Sequence, residues 1–209
     1  VYIGAGETQV VRIFAEAAKS LHEKYPQIRY HIASGNAEYV LEYLDKGLID
    51  FGLLFCPVDP AKYEALTVPH QDTWGVLMRR DAPLAQKEVI RPQDLAGQPL
   101  ILSHQRGGNE TFAEWIGEEK MQVVATYNLL YNASLLVEAG LGYAVGFDKL
   151  INTEGSDLCF RPLSPSLYAQ SRIIWKRYQI FSRPVSIFLK YLREWLEKEE
   201  NADQDGYGF

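Results

Sequence analysis

Apolar runs and amphipathic stretches alternate through the first 55 residues, and this order restricts the possible folds more than any other feature of the chain. Three short segments have the composition of strands: Val1–Ala5, Ile28–Ala33 and Ile49–Phe55. Residues 10–24 and 37–46, which lie between them, carry apolar side chains at helical spacing. The order strand–helix–strand–helix–strand predicts parallel strands with helices on both faces of the sheet.

A second group of strands and helices begins near Leu66. Helices are predicted from Asn109, over residues 129–139, and from Ser182, which stands where a capping residue is expected. Further strands are predicted at Leu66–Pro69, Trp74–Arg79, Leu100–Ser103, Val123–Tyr127, Tyr143–Phe147, Leu158–Leu163 and Ser171–Lys176. This second set of strands and helices indicates a second lobe.

The composition is that of an acidic globular domain. Of the 209 residues, 47% are hydrophobic and 23% are charged, which is enough apolar material for a hydrophobic core. The formal net charge of −6 disfavours contact with phosphate backbones, so we do not expect this segment to hold DNA. The two cysteines, Cys56 and Cys159, are too few for a disulfide-stapled secreted domain of this size.

The sequence shows no sign of a membrane segment. No apolar run approaches about 18 residues and no basic-then-apolar leader precedes the first strand, so we expect neither a membrane span nor a signal peptide. The chain starts at Val1, inside a predicted strand and without an initiator methionine. We therefore expect it to be a piece of a longer protein.

The common catalytic, metal and nucleotide motifs are not found. No pair among the four histidines has metal-ligand spacing, and there is no G-x-S-x-G segment. The glycines of Gly140–Gly146 follow a predicted helix and precede a strand, the reverse of what a dinucleotide fingerprint requires. We expect no metal and no cofactor, although a serine–histidine–aspartate triad assembled from distant residues remains open.

Two chain breaks have the chemistry of a ligand site. Gly6–Gln9 and Ser34–Asn36 each join a predicted strand to a helix, and in parallel sheets such loops lie at the strand ends where ligands bind. Hydroxyl and amide groups there, together with the free N–H groups of a helix start, can grip an anion. Helix capping by Thr8 and Asn36 is the alternative explanation.

A third candidate lies in the second lobe. Ser103–Gly108 is a polar, glycine-rich loop in which Arg106 is able to pair bidentately with a carboxylate. An exposed loop arginine explains the same residue equally well. Asn128 and Asn132 stand at the start of the next helix, where Asn128 is also explained as a cap.

These segments, in this order, resemble the effector-binding domain of LysR-type transcriptional regulators. The first match is Ile3-Gly4-Ala5-Gly6-Glu7-Thr8, which precedes an amphipathic helix. The most specific is Leu44-Asp45-Lys46-Gly47-Leu48-Ile49-Asp50-Phe51-Gly52-Leu53, which is similar to the family pattern L-x-x-G-x-l-D-h-g-l. Later matches are Asp81–Ala85, Asp94–Ile101 and Val137–Phe147. The resemblance covers residues 1–196.

The resemblance implies an α/β, two-lobed, periplasmic-binding-protein-like (type 2) fold, in which two Rossmann-like lobes are joined by two crossing strands. We expect one lobe to comprise residues 1–71 plus 175–209 and the other residues 72–174. The ligand would lie in the cleft between them. Such a domain has no catalytic function, so the resemblance predicts a sensor and not an enzyme.

The family's ligand contacts fall on particular positions of this chain. The resemblance places them at Glu7, Thr8, Gln9, Ser34, Asn36, Leu54, Phe55, Ser103, Asn132 and Phe147. Phe147 stands where the family often has proline, and Asn36 where it often has serine or threonine, so the effector is not specified by analogy. The residue analysis adds Arg106 and favours a small anionic or polar effector.

The resemblance also implies partners. The family pairs effector domains antiparallel, which would set residues 10–24 and 28–33 of one copy against residues 109–117 of another. Phe112 and Trp115 suit such a contact, and they suit an intrachain core equally well. The longer protein would be a cytoplasmic tetramer that binds DNA through an N-terminal helix-turn-helix domain absent here. A transport solute-binding protein, an enzyme on a related scaffold and a pure dimerisation module are the alternatives.

Overall fold

In the computed structural model, which describes residues 1–104 and 108–205, the chain clusters into two units. Unit 1 comprises Val1–Gly6, Val10–Gln71 and the chain from Gln170 onward. Unit 2 comprises Glu7–Gln9 and Asp72–Ala169, so a three-residue turn within the first αβ segment belongs to the second unit. The lobe boundaries expected from the sequence stay a prediction.

Strands and helices alternate along most of the chain. The strands are β1 (Tyr2–Ala5), β2 (His31–Ser34), β3 (Phe51–Leu54), β4 (Tyr63–Arg79), β5 (Pro99–Ser103), β6 (Gln122–Tyr127), β7 (Tyr143–Phe147), β8 (Leu158–Pro162) and β9 (Tyr168–Lys176). The helices are α1 (Val11–Lys24), α2 (Ala37–Asp45), α3 (Pro92–Leu95), α4 (Gly108–Ile116), α5 (Leu130–Glu138) and α6 (Arg183–Asp205), with a 3₁₀ turn at Pro83–Gln86.

The sheet of unit 1 has the strand order β2-β1-β3-β9. Strand β1 is parallel to β2 and β3, as the strand–helix–strand rhythm predicts, whereas β9 is antiparallel to β3. All four residues of β3 are buried, which confirms the prediction that this apolar run is covered on both faces.

Helices pack on this sheet through their apolar sides. Helix α1 buries the face predicted from its periodicity, and it packs with α6 around Phe188, whose ring lies 6.1 Å from that of Phe14 and 5.8 Å from that of Phe51. Helix α2 covers β3, and the chain turns after it at Gly47, whose φ of +68° is a left-handed conformation that glycine adopts without strain.

Unit 2 has a mixed sheet. Strand β5 is parallel to β6 and β7, and β4 is antiparallel to β7 and β8. Helix α5 packs its buried residues against β7 and ends at Gly140, with a φ of +82°. The carboxyl ends of β5, β6 and β7 therefore lie at one edge of this sheet.

Strand β4 corrects one expectation. The sequence predicts two strands separated by a polar break, but Tyr63–Arg79 is continuous and passes from unit 1 into unit 2. The polar residues of the expected break have hydrogen-bond partners: the Gln71 side chain donates to Gln170 Oε1 on β9 (3.0 Å), and Asp72 accepts from Thr8 in the turn after β1. Polar residues with such partners are compatible with an uninterrupted strand.

Across the described part of the chain, no helix combines the length and the apolar character needed to cross a lipid bilayer.

Candidate functional site

The turn that follows β1 is held to strand β4 through a buried aspartate. Thr8 Oγ1 donates to Asp72 Oδ2 at 2.5 Å, and Gln9 N donates to Asp72 Oδ1 at 3.3 Å. Thr8 is 7% exposed and Asp72 is 5% exposed. Both oxygens of the aspartate are therefore used to fix the turn, as buried carboxylates require.

The carboxylate of Glu7, in the same turn, contacts the start of helix α5. Glu7 Oε2 accepts a hydrogen bond from the backbone N of Leu130, the first residue of α5. The residue before it, Leu129, has no side-chain capping bond, so Glu7 supplies from a distant segment the cap that α5 lacks locally. A carboxylate is favoured at this place because the helix dipole is positive there.

A third contact ties the turn to the chain after β7. Gln9 Nε2 donates to the carbonyl oxygen of Lys149 at 2.5 Å. Lys149 has a φ of +63°, unusual for a side chain with a Cβ. The neighbouring Asp148 donates its backbone N–H to the carbonyl oxygen of Thr73 at 2.9 Å, so three segments of unit 2 converge at this place.

The electrostatics of the cluster are dominated by its two carboxylates. Burial raises the pKa of Asp72, and the hydrogen bonds from Thr8 and Gln9 offset only part of that rise. Burial likewise raises the pKa of Glu7, against the effect of the Leu130 N–H. Among the described residues, neither carboxylate has a basic side chain within ion-pair distance.

Two aromatic side chains belong to the same unit. Trp74 lies two residues after Asp72 on β4, is 4% exposed, and has no hydrogen-bond partner for Nε1 among the described residues. Its ring meets that of Phe147 edge-on, with centroids 4.8 Å apart. Residues two apart on a strand point to the same face, so Trp74 and Asp72 share one face of β4.

The other predicted residues of unit 2 lie at the carboxyl edge of its parallel strands. Ser103 ends β5 and Phe147 ends β7, and both are half-buried. Asn132 is the third residue of α5, and it is exposed. Arg106 lies outside the described residues.

The predicted residues of unit 1 also share one sheet edge. Ser34 ends β2 and Leu54 ends β3, on either side of the end of β1, and Phe55 follows half-buried. Asn36 is the N-cap of α2, where its Oδ1 accepts from Tyr39 N at 2.9 Å. The capping explanation is therefore correct for Asn36. It is wrong for Thr8, because α1 begins at Val11 and the Thr8 hydroxyl donates to Asp72.

Sequence reasoning missed Asp72 and Trp74. Asp72 was assigned to a break between strands, and its only signal was a single acidic residue close to an apolar run. Trp74 was assigned to a strand without a role. Their position beside Thr8 and Phe147 depends on how distant segments pair, which periodicity does not report.

The fold and this arrangement of strand ends define a class: an α/β, periplasmic-binding-protein-like (type 2) ligand-binding domain, as the sequence predicts. Residues 1–197 match the family described as the LysR substrate binding domain. The chain belongs to this family.

A curated relative illustrates the similarity in sequence. YvbU of Bacillus subtilis strain 168, an uncharacterized HTH-type transcriptional regulator, is 25% identical over 202 residues, which cover 93% of this chain and 66% of that protein. The chain spans about two-thirds of the length of the curated relatives it matches.

The structural neighbours have the same fold at low sequence identity. The effector binding domain of QuiR, solved in complex with shikimate, has a TM-score of 0.79 at 15% identity and covers 95% of this chain and 97% of that one. The CcmR regulatory domain of Synechocystis PCC6803, solved in complex with 2-PG, has a TM-score of 0.77 at 16% identity and covers 94% and 96%. At these identities the likeness establishes the fold.

Proposed function

We propose that this chain is the sensor domain of a LysR-type transcriptional regulator and that it binds a small polar effector. The observation that carries the proposal is the family match over residues 1–197. Two structural neighbours support the ligand class, since QuiR binds shikimate and CcmR binds 2-PG. The proposal gives the chain no catalytic role.

The turn at Glu7–Gln9 is the centre of the proposed site. It is supported by the convergence of polar groups from three segments of unit 2 and by the buried aspartate that orients Thr8. Ser103, Asn132 and Phe147 are further proposed contacts in unit 2. The remaining proposed contacts are Ser34, Asn36, Leu54, Phe55 and Arg106.

The effector would act by shifting an equilibrium between two states of the protein. A ligand changes such an equilibrium only by its difference in affinity for the two states, typically about 1–3 kcal/mol. In the longer protein, we propose, this shift changes the geometry in which the regulator binds DNA. The same proposal places the protein in the cytoplasm, because a bacterial transcription regulator must reach the chromosome.

We also propose that two copies associate antiparallel. Support comes from apolar side chains on two outer strands, since Ile32 on β2 is 51% exposed and Val123 on β6 is 48% exposed. Phe112 does not contribute, because it is buried within unit 2 and stacks with Trp74 at 6.4 Å. Analytical ultracentrifugation of Ile32→Glu should show a weaker dimer than the unchanged chain, and an unchanged association constant would count against this surface.

A metabolite panel read by thermal shift tests the sensor function. A ligand that binds only the folded state stabilises it by about 2.7 kcal/mol at one hundred times its dissociation constant, so a true effector gives a saturable rise in melting temperature. Calorimetry then supplies stoichiometry. Absence of any saturable ligand would overturn the proposal, and steady conversion of a ligand to product would favour the enzyme alternative.

A further inference from the structure

A short loop of unit 1 exposes two large apolar side chains almost completely. Residues 177–180 (the 177–180 loop) follow β9 and precede helix α6. In this loop Tyr178 is 90% exposed and Ile180 is 96% exposed, the two highest values among the large hydrophobic residues that the structure describes. Single apolar residues on a surface are ordinary, but two in one loop at this exposure are typical of a surface that another segment covers.

The 177–180 loop is anchored at both of its ends. The backbone N–H of Arg177 donates to the carbonyl oxygen of Lys62 at 2.7 Å. Directly after the loop, the Phe181 ring packs in the core of unit 1 with its centroid 5.6 Å from that of Phe51. The loop therefore presents its two apolar side chains in a fixed arrangement, which reduces the entropic cost of binding.

The backbone and the polar groups of the loop are an independent observation. Tyr178 has a φ of +62°, in the left-handed region that a residue with a Cβ rarely adopts. Arg177 Nε and Gln179 Oε1 are buried, and neither has a hydrogen-bond partner among the residues that the structure describes. Strained backbone and unsatisfied polar groups are characteristic of binding segments, where a partner compensates for their cost.

The loop lies at the edge of the sheet where the first strand of unit 1 begins. Strand β9 is antiparallel to β3, and β3 is parallel to β1, so the end of β9 lies at the same edge as the starts of β1 and β3. The strand order β1-β3-β9 separates β1 from β9 by about 10 Å. About four extended residues span such a distance, so a segment that leads into Val1 is able to reach the loop.

Further exposed apolar side chains lie along the same edge. Tyr2, the first residue of β1, is 49% exposed, and its ring stacks on that of His31 with centroids 4.5 Å apart. Leu48 is 53% exposed and precedes Asp50, whose backbone N–H donates to the carbonyl oxygen of Tyr2 at 2.8 Å. The exposed apolar side chains therefore extend from the start of β1, past the start of β3, to the end of β9.

We propose that, in the longer protein, the segment that precedes Val1 docks its own apolar side chains on Tyr178 and Ile180. The inference rests on the proposed function, in which a DNA-binding segment precedes this domain. The curated relatives are HTH-type regulators, and about one-third of each lies outside the match with this chain. Docking at this edge couples the preceding segment to unit 1 through residues outside the proposed ligand contacts.

Thiol labelling tests the inference by comparing this chain with the longer protein. In a Cys56→Ser background, where the remaining Cys159 is 3% exposed, Ile180→Cys is treated with a maleimide in both proteins. Burial of an apolar side chain predicts labelling at least about tenfold slower in the longer protein than in this chain alone. Thr67→Cys is the matched control, because Thr67 is an exposed residue of unit 1 near the middle of β4 and should react equally fast in both.

Limited proteolysis provides the second test. In the longer protein, Ile180→Glu should accelerate cleavage within the segment before Val1 at least about tenfold, because a charged side chain prevents apolar docking. Thr67→Glu should leave the cleavage rate unchanged. In this chain alone, Ile180→Glu should keep the melting temperature within about 2 °C, since the side chain is exposed.

Three results would overturn the docking. They are equal labelling of Ile180→Cys in both proteins, an equal slowing of Thr67→Cys, and slow labelling in this chain alone that becomes faster on dilution. The last result would show that a second copy of this chain covers the loop. The metabolite panel tests the sensor function on this chain alone, so its failure is distinguishable from a failure of the docking.

Discussion

Thr8 and Asp72, 64 positions apart in the chain, form a 2.5 Å hydrogen bond in which the threonine hydroxyl donates to the carboxylate. Both side chains are buried, so the bond joins the turn after β1 to the middle of β4 in a setting with little solvent. Hydrogen bonds to charged groups contribute more to stability than neutral ones, and loss of one partner leaves the other poorly satisfied.

Replacement of Thr8 by valine should therefore destabilise the fold. Valine keeps the shape of threonine but removes the donor, and we expect a loss of about 1.5–3 kcal/mol in the free energy of unfolding. Urea denaturation measures it. Thr67→Val is the matched control, because Thr67 is an exposed residue of β4, and it should change stability by less than about 0.5 kcal/mol. Equal effects of the two variants would contradict a role for the Thr8 bond.

The raised pKa of Asp72 predicts a pH dependence with a definite sign. Because burial favours the protonated form, the folded chain binds more protons than the unfolded chain above the ordinary aspartate pKa of about 3.9. The contribution of Asp72 to stability is complete below that value and is lost as the pH rises through its raised pKa. As the pH rises from about 3.9 through the raised pKa of Asp72, the unchanged chain should thus lose stability relative to Asp72→Asn. Denaturation at a series of pH values measures this difference. A difference that does not vary with pH would refute this expectation.

An alkaline titration tests the contact between Tyr63 and Asp45. The Tyr63 hydroxyl donates to Asp45 Oδ1 at 2.7 Å, and burial together with this bond raises the pKa of Tyr63 to about 12. Tyr63 therefore contributes fully below the ordinary tyrosine pKa of about 10, and its contribution is lost as the pH rises towards 12. Tyr63→Phe should cost about 1 kcal/mol at neutral pH, and the difference should disappear at the alkaline end. Tyr178→Phe, at an exposed position, is the matched control and should change the free energy of unfolding at neutral pH by less than about 0.5 kcal/mol.

The helix cap formed by Asn36 predicts a structural role for this side chain. Its Oδ1 satisfies the Tyr39 N–H, so Asn36→Ala should cost about 0.5–2 kcal/mol in the free energy of unfolding. Asn36→Asp retains the acceptor at the helix start and should leave stability within about 0.5 kcal/mol of the unchanged chain. If both variants were equally unstable, the amide nitrogen of Asn36 would have a role that this bond does not describe.

Local pattern was a good guide to the elements of unit 1 and a poor one to the partners of the polar residues in unit 2. The periodicity of α1 and α2 and the buried run of β3 follow from the sequence, because each depends on neighbours a few positions away. Strand β2 was expected to begin at Ile28 but starts at His31, and its outward Ile32 is exposed. An alternating pattern does not reveal that a strand lies at the outer edge of its sheet.

The sequence by itself determined the fold class, the family and the loops that carry the candidate ligand groups, because periodicity, turn residues and motif order are properties of short segments. Only the tertiary structure decided what those groups are bonded to: Thr8 donates to Asp72, and Glu7 caps α5. Such bonds join residues 64 and 123 positions apart, and they depend on strand order and register, which no short segment specifies.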